Sequence, residues 1–204
     1  MHIVARQRNE FERATYRRFI SQFKPNQLLF IDESLKDERK IQRKFGRELR
    51  GKRLSHVGNF ICGTRFSVLA AVSMDGIKGA HAIEGAYDTA GFEFAMETFV
   101  APSIGSCANG EDCSVVVMDN CAIHKSDHLL RIIRERGGIA TLLPIIFLLS
   151  FSSRPYSPDL NPIERCFGTA KKWMLRHRHM AERYPKRCFE IALFNVSIKA
   201  TVYL

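Results

Sequence analysis

The 204 residues fit one compact domain with short extensions rather than two full domains, and a content of 46% hydrophobic and 25% charged residues excludes wholesale disorder. Lys and Arg number 31 against 21 Asp and Glu, and the net charge of +10 points to a polyanionic partner such as nucleic acid or an acidic membrane surface. The longest apolar run, 139–149, is interrupted by Thr141 and Pro144 and falls short of the roughly 20 residues that a bilayer requires, so no membrane insertion is expected.

Residues 1–24 are polar and basic, with Arg and Glu too frequent for a secretory signal, so secretion is not expected. Phe11, Tyr16, Phe19, Ile20 and Phe23 recur at near-helical intervals and predict a helix ending before Pro25. Residues 28–31 (LLFI) suit a short buried strand, and Asp32 closes it. The stretch 36–53 mixes charges of both signs. It reads either as a solvated arm between strands or as a contact to DNA phosphates through Arg43, Lys44, Arg47, Arg50, Lys52 and Arg53.

Residues 66–73 and 80–84 read as two strands, and Asp75-Gly76 between them is a hairpin signal, so the first three strands form a meander. Thr89 is expected to cap a helix through Val100 that buries Phe92, Ala95, Met96 and Phe99 and stops at Pro102 and Gly105. Residues 114–118 (SVVVM) read as a central strand closed by Asp119. Residues 126–136 predict a helix with Leu129, Leu130, Ile132 and Ile133 facing inward, stopped by Gly137-Gly138, and 139–143 a fifth strand.

The proline-rich segment 155–162 must be extended or turning. Asn161 as N-cap and Pro162 at the first helical position then place Glu164 in the first turn of a helix running to about His177. The resulting order, β-β-β-α-β-α-β-α, predicts an α/β mixed sheet with helices on both faces. The six cysteines are scattered and include no CxxC pair, so reduced thiols are expected and zinc at Cys121, His124 and His128 is disfavoured.

Strands ending at Asp32 and Asp119 can lie side by side, and Glu164 can join them from its helix. Three ionised carboxylates in one place repel, and they persist together only with cations or a bound proton. Hard oxygen donors suit Mg²⁺ or Mn²⁺, and a pair of such ions serves phosphodiester hydrolysis or transesterification. An Asp at a strand end is also a common turn former or helix cap, so position alone leaves both readings open.

The wording around each acid adds to this. FIDES at 30–34, VVVMDNCAIH at 115–124 and PYSPDLNPIE at 155–164 resemble, in order, the DDE endonuclease domain of Tc1/mariner and IS630-like transposases. GTRFSVLAAVSMDG at 63–76 resembles the second and third strands of that domain, and the likeness covers about 28–177. The resemblance implies a ribonuclease H-like fold with Asp32, Asp119 and Glu164 as catalytic residues and ligands of two Mg²⁺ or Mn²⁺ ions. It implies that Asn120, His124 and Asn161 shape the site without holding the metal.

It further implies DNA as the partner, a homo-oligomer assembled on transposon ends and, in a eukaryotic host, a nuclear location. Glu33 follows Asp32 directly and should point to the opposite face of the strand, away from the metals. Asp159 should make a local turn bond. The organisation expected is a basic extension at 1–27, the DDE domain at 28–178 and a stretch of unassigned role at 179–204. Two other readings share the fold: a DNA-binding relic without turnover, and another nuclease of the ribonuclease H-like class.

Two departures from the family pattern stand out. Forty-five positions separate Asp119 from Glu164, where the family has roughly thirty-five; removing 145–154 (IIFLLSFSSR) joins Pro144 to Pro155 and restores that step. The segment 145–154 is therefore expected to be an insertion. The second departure is that only about 27 residues precede the first strand, without the helix-turn-helix region that reads inverted repeats, so end-specific DNA recognition is not expected of this polypeptide alone. Transcript reads are expected to join the codons of Pro144 and Pro155; uniform coverage across the ten intervening codons would contradict the insertion.

Overall fold

The structure is a computed structural model and describes residues 10–37, 49–52, 64–143 and 161–200. The segment 145–154, and with it the expected insertion, lies outside the described residues, as do Asp159 and Cys62. Helix α1 (Glu10–Ile20) leads into β1 (Leu28–Asp37), β2 (Arg65–Ser73) and β3 (Gly76–Glu84). Helix α2 (Thr89–Ala95), β4 (Val115–Met118), α3 (Asp127–Glu135) and β5 (Ile139–Leu142) follow, and α4 (Ile163–Arg176), α5 (Arg178–Arg183) and α6 (Pro185–Ala200) complete the order.

The five strands form one sheet in the order β3-β2-β1-β4-β5. The meander pairs antiparallel, whereas β4 joins β1 and β5 joins β4 in parallel. This is the mixed sheet that the element order predicts. Alternation along the strands divides the core in two. Leu29, Ile31, Leu69, Ala71, Val116 and Met118 pack against α2 and α3 on one face. Val68, Ala70, Val72 and Ala82 pack on the other face against α4 and α6, while Tyr16 of α1 meets Val117 and Leu143.

Several elements differ from the sequence reading. Strand β1 runs on to Asp37, so Asp32 sits inside a strand and not at its end. The reason is pairing: β1 loses β4 after Ile31–Met118 but keeps its antiparallel partner β2 as far as Asp37–Arg65. The helix after β3 is capped by Asp88, whose Oδ1 accepts from Gly91 N–H at 2.8 Å, and Thr89 is its first residue. It then widens into a π turn (Met96–Val100), which shifts the periodicity and leaves Phe99 37% exposed instead of buried. Leu130 is only half-buried; Leu129, Ile132 and Ile133 carry the inward face of α3.

The stretch 179–204, without an assigned role in the sequence, supplies α5 and α6. Cys188, Phe189, Ala192 and Leu193 of α6 are buried against Phe167 of α4 and the β2–β3 face. Glu190 Oε1 also accepts from Ala82 N–H at 2.9 Å, which satisfies a donor on the edge strand β3. At Gly79 an added Cβ would collide with the Phe99 carbonyl oxygen, so only glycine lets the π turn approach β3 this closely.

Two substitutions test this packing by urea denaturation. Phe189→Ala is expected to cost about 3–5 kcal/mol, the usual range for a buried phenylalanine. Gly79→Ala is expected to cost about 1–3 kcal/mol as β3 and the π turn are forced apart.

Candidate active site

The parallel ladder between β1 and β4 ends with Ile31 opposite Met118, so Asp32 and Asp119 are the next residue on each neighbouring chain. Asp32 shares the face of Phe30 and is 5% exposed. Its Oδ2 accepts from Asn161 Nδ2 at 3.0 Å, and its Oδ1 accepts from Glu33 N–H at 2.8 Å. Asn161 is itself buried, and its Oδ1 accepts from Ile163 N–H at 3.3 Å. One side chain thus caps the start of α4 and ties that helix to β1. The helix is assigned from Ile163, one residue later than expected, and Glu164 stands in its first turn as predicted.

Asp119 follows the last residue of β4. Its Oδ1 accepts from Cys121 N–H at 3.0 Å and pairs with His124 Nδ1 at 2.6 Å. His124 lies in a 3-10 turn (Ala122–Lys125), fully buried, with the Phe92 ring centroid 4.7 Å away. Its Nε2 reaches Glu33 Oε1 at 2.8 Å. Glu33 shares the face of Leu29 and Ile31, so it does point away from Asp32 as the strand period requires. It nevertheless enters the site through His124. Adjacency to Asp32 was its only signal in the sequence; the fold-back of His124 beneath the sheet was not visible there.

The electrostatics follow from burial and crowding. Burial, then the charges of Asp119 and Glu33, with a smaller one from Glu164, push the Asp32 carboxyl up to about 7, against the lowering effect of the Glu33 N–H. Burial pulls His124 down, but its hydrogen bonds to Asp119 and Glu33 outweigh this and hold it up to about 10. His124 is therefore an imidazolium at neutral pH, donating from both nitrogens.

Of the other expected residues, Asn120 is half-buried beside Asp119, and its Oδ1 has no hydrogen-bond partner among the described residues. Arg50 and Lys52 are exposed. Arg43, Lys44, Arg47 and Arg53 lie outside the described residues.

The donor set fits a hard divalent cation by chemistry: Asp32 feels the negative charge of Asp119, Glu33 and Glu164, and that crowding is what a cation relieves. The carboxylates are not yet gathered around a common point. Among the described residues no three His, Cys, Asp or Glu side chains stand ready to hold a metal, and Cys121, His124 and His128 do not form a zinc cluster. Among the described residues no disulfide joins Cys107, Cys113, Cys121 or Cys166.

Residues 27–184 match the family described as DDE superfamily endonuclease. The chain belongs to that family. Its fold is similar to solved structures titled Mos1 transposase paired-end complex with left transposon end, Mos1 mariner paired end complex with Mn, and Mos1 Strand Transfer Complex. The first two share 12% identity with TM-scores of 0.54 and 0.53, covering 98% and 97% of this chain. The third shares 12% identity with a TM-score of 0.55 and covers 98%. The chain spans 62%, 62% and 63% of those Mos1 chains. No curated protein matches this DDE endonuclease sequence. The fold is ribonuclease H-like, as the resemblance implied. Among the described residues no helix is long and apolar enough to cross a membrane.

Because Asp32 is raised from 3.8 to about 7, its contribution to metal-free stability is full below about pH 4 and lost as pH rises through 7. His124, raised from 6.5 to about 10, loses its contribution as pH climbs through 10. Thermal melts in chelator should therefore show Asp32→Asn melting above the wild type at pH 8 and level with it near pH 4. Each kcal/mol recovered corresponds to about 2–4 °C in Tm for a chain of this size. Identical pH slopes for the two proteins would contradict the burial of a strained carboxylate at this position.

Proposed function

We propose that this DDE domain is a divalent-metal-dependent DNA endonuclease and strand transferase of the Tc1/mariner type, acting in DNA transposition. The observation that carries the reading is the Asn161 bridge. A single buried amide bonds the Asp32 carboxylate at 3.0 Å and the first turn of the helix bearing Glu164, while Asp119 follows the adjacent parallel strand. The charges of Asp119 and Glu164 both raise the Asp32 carboxyl, which supports one shared site for the three acids named by separate motif phrases.

In this reading Asp32, Asp119 and Glu164 hold two Mg²⁺ or Mn²⁺ ions. Such ions, when bound, supply Lewis acidity for attack on phosphorus and offset charge on the leaving oxygen. Asn161 holds the Asp32 carboxylate towards α4, and His124 fixes that of Asp119. Arg50 and Lys52, with Arg43, Lys44, Arg47 and Arg53, hold the DNA backbone, a contact that weakens with salt and carries no base sequence. Assembly as a homo-oligomer on transposon ends and a nuclear location in a eukaryotic host belong to the same proposal.

A relic that binds DNA without turnover is favoured by one observation, the ungathered carboxylates. A nicking assay on supercoiled DNA with Mg²⁺ or Mn²⁺ separates the two. Wild type is expected to nick, and Asp119→Asn to lose at least about 100-fold, the upper end of what even outer partners of a metal contribute. Equal activity in both proteins would sink the site assignment, and DNA binding without nicking would favour the relic.

A further inference from the structure

His124 is fully buried, yet neither of its nitrogens is satisfied by main chain alone. Nε2 points to Glu33 Oε1 at 2.8 Å, and Nδ1 points to Asp119 Oδ1 at 2.6 Å and to the Asp119 carbonyl at 3.1 Å. The ring therefore joins a carboxylate on β1 to one just beyond β4. The phenyl ring of Phe92, 4.7 Å away and tilted by 35°, closes one side of the imidazole. Contact with Phe92 leaves the ring's rotation about Cβ–Cγ undetermined, because it depends little on which nitrogen faces which strand. The bond from Nε2 to Glu33, together with that from Nδ1 to the Asp119 carbonyl, decides it.

Asp119 needs that decision. The β1–β4 ladder has ended one residue before it, so strand pairing with β1 does not set the direction of its carboxylate. The Cys121 N–H and His124 Nδ1 both bond its Oδ1 and help set that direction.

We propose that Glu33 is a positioning residue for the metal centre: by anchoring His124 Nε2 it aims Nδ1 at Asp119 and so fixes the carboxylate that receives the cation. This rests on the proposed metal-dependent function and extends it to an acid on the opposite face of β1. What Glu33 supplies is a hydrogen-bonding partner at the right reach. A glutamine can take over that part, since its amide can accept from Nε2–H or donate to a bare Nε2, and in both cases Nδ1–H still faces Asp119.

The test is Mn²⁺ binding by calorimetry at pH 7.5 without DNA, together with thermal unfolding in chelator. Glu33→Ala is expected to weaken Mn²⁺ binding about 10–100-fold, the usual cost of losing an outer partner of a metal ligand. Glu33→Gln is expected to bind within about threefold of wild type because the hydrogen bond survives. If Glu33→Ala does not fold, Glu33→Met keeps the length without the polar atoms and takes its place.

A lowered melting temperature with unchanged Mn²⁺ affinity in the Ala or Met variant would overturn the proposal and leave Glu33 a purely structural residue. Glu33→Gln binding as weakly as Glu33→Ala would also overturn it, since charge and not positioning would then be at work. A wild type that binds no Mn²⁺ would instead overturn the metal-dependent function itself, and this proposal with it.

Discussion

The parallel pairing of β1 with β4 reaches Ile31 and Met118 and goes no further, while β1 continues for six more residues against β2. Beyond that level the chain after β4 is free to leave the sheet, and it does so through the turn that carries His124. Asp32 and Asp119, each one residue past the last ladder pair, flank the gap that opens. Ligands of parallel strands gather at their carboxyl ends for this reason: main-chain groups and side chains there are no longer consumed by a neighbouring strand. Both sheet faces contribute, since strand alternation sends Asp32 towards α4 and Glu33 towards α2 and α3.

Asp32 and Asp119 are held by different kinds of partner. Asp32 takes a neutral amide from Asn161 and a main-chain N–H, which leaves its burial and its neighbours' charges uncompensated, and its carboxyl is held well above the ordinary range. Asp119 instead meets a buried imidazolium whose second bond goes to Glu33. The two strand acids therefore differ in how much positive charge already faces them. Such unrelieved repulsion lowers the stability of the empty domain and is a familiar feature of sites shaped for function over stability. The rest of the core offsets it with two apolar layers, one on each face of the sheet, and α6 extends the second of these to the edge strand.

Much of the fold was legible because it rests on local signals. Val115, Val116 and Val117 with Met118 could only be a buried strand, Asp75-Gly76 could only turn, and Asn161-Pro162 opened a helix with Glu164 in its first turn. The misses have non-local causes. Asp32 looked like a strand terminus because the apolar run stops at Ile31, whereas pairing with β2 carries the strand to Asp37. Phe99 fitted an α-helical face until the π turn displaced it onto His81, with which it stacks at 4.5 Å. The weak amphipathicity of 185–200 hid a helix whose burial depends on the shape of the β2–β3 face and of α4.

The sequence by itself determined the family, because its motif phrases are long enough to identify it, and it singled out Asp32, Asp119 and Glu164 as candidates and set the alternation that separates Asp32 from Glu33. Only the tertiary structure decided how those acids are held. The bond from Asn161 to Asp32 spans 129 residues of chain and that from His124 to Glu33 spans 91. Contacts over such separations are set by the register of β1 against β4 and by the docking of α4 and the His124 turn on opposite faces of the sheet. No local pattern of residues encodes them.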